Sequence, residues 1–144
     1  MDSPRQQLRV AIGECVQRIT KANGFSTDVG LAFTLEPGQV DADAAAVLTV
    51  LVTKQQRASQ AALVRTHRLT TVVVVVKVPA ALDEAQAALD AAISDVEEAM
   101  SDQQGRYPVG IEFPQYLSME PVKPDAGTGW VGAVVSYQSH LPIT

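Results

Sequence analysis

Cysteine is scarce in this chain, and no apolar run is long enough to span a membrane. Cys15 is the single cysteine among 144 residues, so no internal disulfide can form, and a reducing compartment is expected. The valine run at residues 72–76 is far too short to cross a bilayer. The first residues, MDSPRQQ, lack the apolar core of a signal peptide. We therefore expect a protein that is made and kept in a cytoplasm.

Basic residues are outnumbered by acidic ones. The chain has 11 lysines and arginines against 16 aspartates and glutamates, a net charge of −5. A protein that coats nucleic acid needs a basic face to displace counterions, so this class is excluded. DNA that passes nearby without binding remains compatible with the composition.

The patterns of common catalytic, cofactor and metal sites are also missing. His67 and His140 lie far apart in the sequence, without cysteine or acidic neighbours at ligand spacing, and DADA at 41–44 is too short for a calcium loop. The chain has no GxSxG elbow, P-loop or dinucleotide fingerprint. We predict no metal, no cofactor and no enzymatic activity. A catalytic site built from residues distant in sequence is the open alternative.

The first helix is predicted from its start signal and its apolar spacing. Ser3 suits the N-cap, Pro4 suits the first turn, and Gly24 suits a left-handed end. The apolar stripe consists of Leu8, Ile12, Cys15, Val16 and Ile19.

The stretch KANGFSTDVG, residues 21–30, raises the question of a phosphate loop. Such a loop leads from a strand into a helix, whereas here a helix precedes a strand. We therefore predict a helix end and a turn, braced by Thr27 or Asp28.

Three strands are predicted next, at residues 30–36, at 46–54 and in a stretch that ends at Pro79. The last two lack a strong turn signal between them and predict a long β-hairpin arm that leaves the sheet, with a solvated loop as the alternative. The outer part of this arm carries Lys54, Arg57, Arg65, His67 and Arg68. Successive valines point to both faces of a strand, so the face not covered by helices needs a loop or another subunit.

The second helix is predicted at residues 80–101, with an acidic outer face. Its apolar stripe consists of Leu82, Leu89, Ile93, Val96 and Met100. Its acidic residues are Asp83, Glu84, Asp90, Asp95, Glu97, Glu98 and Asp102. The first helix carries Arg5, Arg9, Arg18 and Lys21, which permits pairing between the helices or between neighbouring copies. A solvated acidic face is the alternative.

Two further strands complete the predicted fold, at residues 116–123 and 130–141, joined by the turn DAGTG. Pro121 and Pro124 place the first of them at a sheet edge. We predict one domain, residues 1–144, of the α+β class and the order α-β-β-β-α-β-β. Its sheet is mainly antiparallel with four to five strands, and both helices pack on one face.

The assembled pattern resembles the tail terminator proteins of long-tailed bacteriophages, also described as minor tail or tail completion proteins. The resemblance covers most of the chain and rests on TKANGFSTDVG, AAVLTVLV, the valine strand, PAALDEAQAALDAAISDVEEAM and GWVGAVVSYQ. None of these segments is a catalytic motif.

The resemblance implies a structural role in the virion, at the junction of head and tail, after assembly in the host bacterial cytoplasm. Such proteins form a sixfold ring on the tail tube, end its polymerisation and offer the head a docking surface. The implied partners are further copies of the chain, the tail tube protein and a head–tail connector, with DNA passing through the hole and no membrane involved. The candidate interface residues are Arg57, Arg65, Arg68, Glu97 and Glu98.

Three other classes remain open. A head-closure or tube subunit of similar fold predicts a different partner or an open-ended tube. A small enzyme or ligand-binding α+β domain predicts a concave pocket with convergent polar groups. A bacterial regulatory or adaptor domain predicts no connection with phage genes.

Overall fold

The described residues form two α-helices and a five-stranded sheet, in a computed structural model that describes residues 3–35, 46–79, 84–101, 107–122 and 130–143. In chain order the elements are α1 (Pro4–Val16), β1 (Phe33–Thr34), β2 (Val47–Arg57), β3 (His67–Pro79), α2 (Ala85–Met100), β4 (Gln115–Val122) and β5 (Trp130–Pro142). The predicted α+β class and the order α-β-β-β-α-β-β are confirmed. No helix in these residues is long and apolar enough to span a membrane.

The sheet is mixed, and the prediction of a mainly antiparallel sheet is matched in part, since three of its four strand pairs are antiparallel. Its strand order is β1-β2-β3-β5-β4, and β1 runs parallel to β2 while the other pairs are antiparallel. The strand predicted at 30–36 is reduced to Phe33–Thr34 because Val29–Ala32 forms a 3₁₀ turn. Gly30 lies in that turn and donates its N–H to the carbonyl of Ile19 at 2.9 Å, which draws the chain towards the end of α1.

Helix α1 begins where the sequence predicts and ends earlier. The Ser3 side chain caps its first turn, and all five residues of the predicted stripe are fully buried. The helix ends at Val16, whereas Gly24 was predicted to end it. Thr20 is extended, with φ −139°, and caps a separate 3₁₀ turn, Lys21–Asn23, whose left-handed end is Gly24 at φ 92°. The left-handed glycine was predicted correctly but belongs to the second turn.

Helix α2 is shorter than the predicted span of 80–101. Its described stripe residues, Leu89, Ile93, Val96 and Met100, are buried as predicted. The predicted positions Leu82, Asp83 and Asp102 lie outside the described residues, as do Asp41, Asp43, Lys123 and Pro124.

Strands β2 and β3 form the predicted long hairpin, but the hairpin does not leave the sheet as an arm. The two strands pair from Val47 opposite Lys77 to Arg57 opposite Arg68. Strand β5 also pairs with β3 along its full length, as far as Pro142 opposite His67. Because β3 has a partner on both sides, only the connection beyond it is free of the sheet. We call residues 57–68 the hairpin end.

The two faces of the sheet differ in their cover. Val72, Val74 and Val76 of β3 are fully buried in one cluster with the apolar residues of both helices. Val73, on the opposite face, is buried outside that cluster, and Val75 is half-buried. The predicted apolar character of both faces of β3 is confirmed, and both helices lie on one face.

Candidate functional site

A buried carboxylate of α2 holds the turn that follows α1. The Asp95 side chain accepts hydrogen bonds from the backbone N–H of Ser26 at 3.2 Å, the N–H of Thr27 at 2.8 Å and the Thr27 hydroxyl at 2.6 Å. The prediction that Asp95 belongs to a solvated acidic face is wrong. It lies three residues after Ala92 and four before Ala99, both buried, and so on the inner face of the helix.

The turn at residues 21–30 therefore binds a carboxylate of the same chain, that of Asp95. The N–H groups of Ser26 and Thr27 are occupied by Asp95. Asp28 accepts a hydrogen bond from the N–H of Lys21 at 2.8 Å. The predicted bracing role of Thr27 and Asp28 is confirmed, and no phosphate is needed to explain this turn.

The hairpin end presents an exposed group of arginines. Arg57 and Arg68 are directly opposite each other on β2 and β3, and Arg65 lies in the connection between them. The Arg68 guanidinium donates to the carbonyl of its neighbour His67 at 3.1 Å. The side chains of Arg57 and Arg65 have no partner among the described residues. Like charges opposite each other in a sheet are destabilising, so this end of the molecule favours an anionic partner.

The predicted acidic partners lie elsewhere on the chain. Glu98 is exposed on α2, and Glu97 is half-buried beside β4. The structure does not bring either glutamate to the arginines of the hairpin end. Nor do the helices pair through charges: Arg18 of the segment after α1 donates to the carbonyl of Ala99 at 3.1 Å. Within the described ranges the one acid–base contact under 4 Å joins His140 and Glu112.

Glu97 lines a groove of about 590 Å³ between the end of α2 and β4. Its other walls include Phe113, Tyr116 and Tyr137, and the rings of the two tyrosines meet edge to face with centroids 5.8 Å apart. A hydrogen bond to the Glu97 carboxylate raises the pKa of Tyr116. Burial, and then the charge of Glu97, raise the pKa of Tyr137. Glu97 contributes to both shifts, and its carboxylate is the acidic group of the groove.

Strand β4 is an edge strand, as predicted. Its exposed apolar side chains are Tyr116, Leu117, Met119 and Val122. An exposed apolar edge is a surface on which other chains pair or pack. Tyr116 belongs to both this edge and the groove, and we call the two together the border formed by α2 and β4.

A second cleft, of about 500 Å³, lies beside the 3₁₀ turn Val29–Ala32. Its walls are mainly apolar and include Ala46, Val78 and Ala88. Thr27 and Asp28 are its polar residues, and the hydroxyl of Thr27 already donates to Asp95. The convergent polar groups expected of a ligand-binding domain are therefore not found in this cleft.

His140 has polar partners that its sequence neighbourhood does not reveal. Its Nδ1 lies 3.2 Å from a Glu112 carboxylate oxygen, and its Nε2 lies 3.2 Å from both the N–H and the hydroxyl of Ser59. The sequence places no acidic residue next to His140, but the fold brings Glu112 to it. These three residue types form the triad of serine hydrolases. Here, however, Nε2 accepts the backbone N–H of Ser59, so its lone pair is not free to take a hydroxyl proton. The contacts instead attach the hairpin end to β5.

Replacing His140 with leucine should loosen the hairpin end and lower the free energy of unfolding by about 2 kcal/mol, because the Ser59 N–H loses its acceptor. Trypsin should cleave the variant faster after Arg57 and Arg65. The matched control is His67→Leu, at a half-buried histidine whose Nδ1 forms a hydrogen bond with the neighbouring Thr66 hydroxyl. Equal cleavage rates and equal urea midpoints for the two variants would show that His140 does not attach the hairpin end to β5.

In the parts of the chain that the structure describes, no three metal-binding side chains come together. No protein-family model and no curated protein sequence matches the chain.

Proposed function

We propose that this chain is the subunit of a ring that ends the tail tube of a long-tailed bacteriophage and gives the head a surface on which to dock. The observation that carries the proposal is that a basic surface and an acidic, apolar surface lie at different places on the molecule. The hairpin end displays Arg57 and Arg65 without partners among the described residues, and the border formed by α2 and β4 displays Glu97, Glu98 and exposed apolar side chains.

Two different surfaces that complement each other make a head-to-tail contact, which closes into a ring when the rotation between copies fits. The resemblance of the sequence to tail terminators supports the same assembly. The remaining partners in this proposal are the tail tube protein and a head–tail connector, and the location is the virion. The role is structural and needs no catalytic group. The net charge of −5 suits a ring through which DNA slides without binding.

Electron microscopy and light scattering of the purified protein, alone and with purified tail tubes, test this function. We expect closed rings in solution or rings seated on tube ends, and tubes that no longer elongate when the protein is present. Tubes that elongate equally with and without the protein would contradict the proposal. Long filaments of the protein alone would favour the second candidate, a tube subunit.

Raising the salt concentration gives a further readout in the same samples. Exposed ion pairs are screened by salt, so a contact between the arginines and the glutamates should weaken as salt rises.

A further inference from the structure

The groove between α2 and β4 contains a polar atom that the described chain does not satisfy. Tyr137 is 3% exposed, and its hydroxyl has no hydrogen-bond partner among the described residues. A buried hydroxyl without a partner is costly, and native proteins have few of them. That oxygen has almost no accessible surface, so a ligand of the groove meets the exposed groups of its walls and not this hydroxyl.

The groove has the chemistry of a site for a guanidinium group. The Glu97 carboxylate carries the charge, and the faces and edges of Tyr116, Phe113 and Tyr137 provide the aromatic wall. Guanidinium groups bind carboxylates through paired N–H donors and stack on aromatic rings.

The hairpin end has the matching surface. Its 3₁₀ turn, Ala61–Leu63, exposes small apolar side chains, and Arg65 follows it with a free guanidinium. An apolar turn beside one cation complements an apolar groove beside one carboxylate.

The two surfaces do not meet within the described chain, where no acid–base contact under 4 Å joins Glu97 and Arg65. Tyr116 and Tyr137 of the groove are in register with Val72 of β3, four residues from Arg68 at the hairpin end. At about 3.3 Å for each residue the separation along the strands is roughly 13 Å, and Arg65 lies beyond Arg68. An arginine of the hairpin end that enters the groove must therefore belong to another molecule.

We infer that the groove binds the hairpin end of a second copy of this chain, with the Arg65 guanidinium held by the Glu97 carboxylate against the aromatic wall. This inference rests on the proposed ring and identifies the contact that builds it.

Crosslinking of the full-length chain tests the contact. Ala62→Cys and Gln115→Cys place thiols on the hairpin end and at the groove, at exposed positions that leave Arg65 and Glu97 intact. Cys15 is buried and is the only other cysteine, so a short bifunctional thiol reagent reports mainly on the two new sites. The matched control carries Ala62→Cys with Lys21→Cys, at an exposed position on the 3₁₀ turn after α1.

We expect a ladder of linked oligomers from the Ala62→Cys and Gln115→Cys chain, with or without tail tubes, and only weak dimers from the control. Glu97→Arg should abolish the ladder, and adding Arg65→Glu to the same chain should restore it. If light scattering shows an oligomer but the ladder does not exceed that of the control, the contact is wrong and the ring uses another interface. If the protein stays monomeric and tail tubes elongate past it, both the contact and the proposed function fail.

Discussion

Gly30→Ala should lower the free energy of unfolding by about 3 kcal/mol, because the added methyl group has no space. A Cβ atom at this position would lie 2.6 Å from the carbonyl oxygen of Val16, 2.7 Å from that of Gln17 and 2.8 Å from that of Ile19. All three are backbone atoms at the end of α1 or just after it, so no side chain can rotate to make room. The turn must move away, and the hydrogen bond from Gly30 to Ile19 is lost with it.

Gly24→Ala is the matched control for this effect. Gly24 has a φ of 92° and no atom within 4 Å of an added Cβ, so the substitution strains only the backbone. It should lower the free energy of unfolding by about 1 kcal/mol. Urea denaturation of the two variants measures the difference. Equal losses would show that the turn moves easily and that close packing against α1 is unimportant.

Asp95→Ala should lower the free energy of unfolding by about 3 kcal/mol. The substitution removes the buried acceptor of three hydrogen bonds and leaves the N–H groups of Ser26 and Thr27 without their partner in the chain. Hydrogen bonds to a charged group are stronger than neutral ones, which makes this loss larger than for an ordinary polar side chain. Circular dichroism during urea titration gives the value.

Asp90→Ala controls for the change of charge on the same helix. Asp90 is exposed and accepts a hydrogen bond from Gln86 within α2, so its loss should change the free energy of unfolding by about 0.5 kcal/mol or less. Asp95→Asn keeps one acceptor oxygen, so its loss in the free energy of unfolding should lie between those of Asp95→Ala and Asp90→Ala. If Asp95→Ala is no worse than Asp90→Ala, the carboxylate does not hold the turn.

Side-chain periodicity was sufficient to predict most of the elements of this fold. The spacing of the buried residues of α1 and α2, and the alternation along β3, report directly on which side chains leave water. The edge position of β4 followed from Pro121, which cannot donate to a neighbouring strand. These features depend on local spacing, which a sequence contains.

The contacts that join distant segments could not be predicted in the same way. Ser59, Glu112 and His140 meet only because β5 inserts beside β3 and brings its end to the hairpin connection. Asp95 had a usable signal, since its spacing from Ala92 and Ala99 places it on the buried face. The free Tyr137 hydroxyl depends on three-dimensional packing, and no local pattern reports it.

The strand order β3-β5-β4 has a consequence for the growing chain on the ribosome. Strand β5 follows every other described element in the sequence, yet it lies between β3 and β4 and borders both. Until it emerges, the hairpin of β2 and β3 has an open edge along a run of valines, and β4 has no partner. Contacts between segments far apart in sequence form slowly, and an open apolar edge pairs with other chains. The nascent protein therefore reaches its native sheet only after residues 130–142 have been synthesised. Before that point, other components of the cell must keep the valine edge from pairing with other chains.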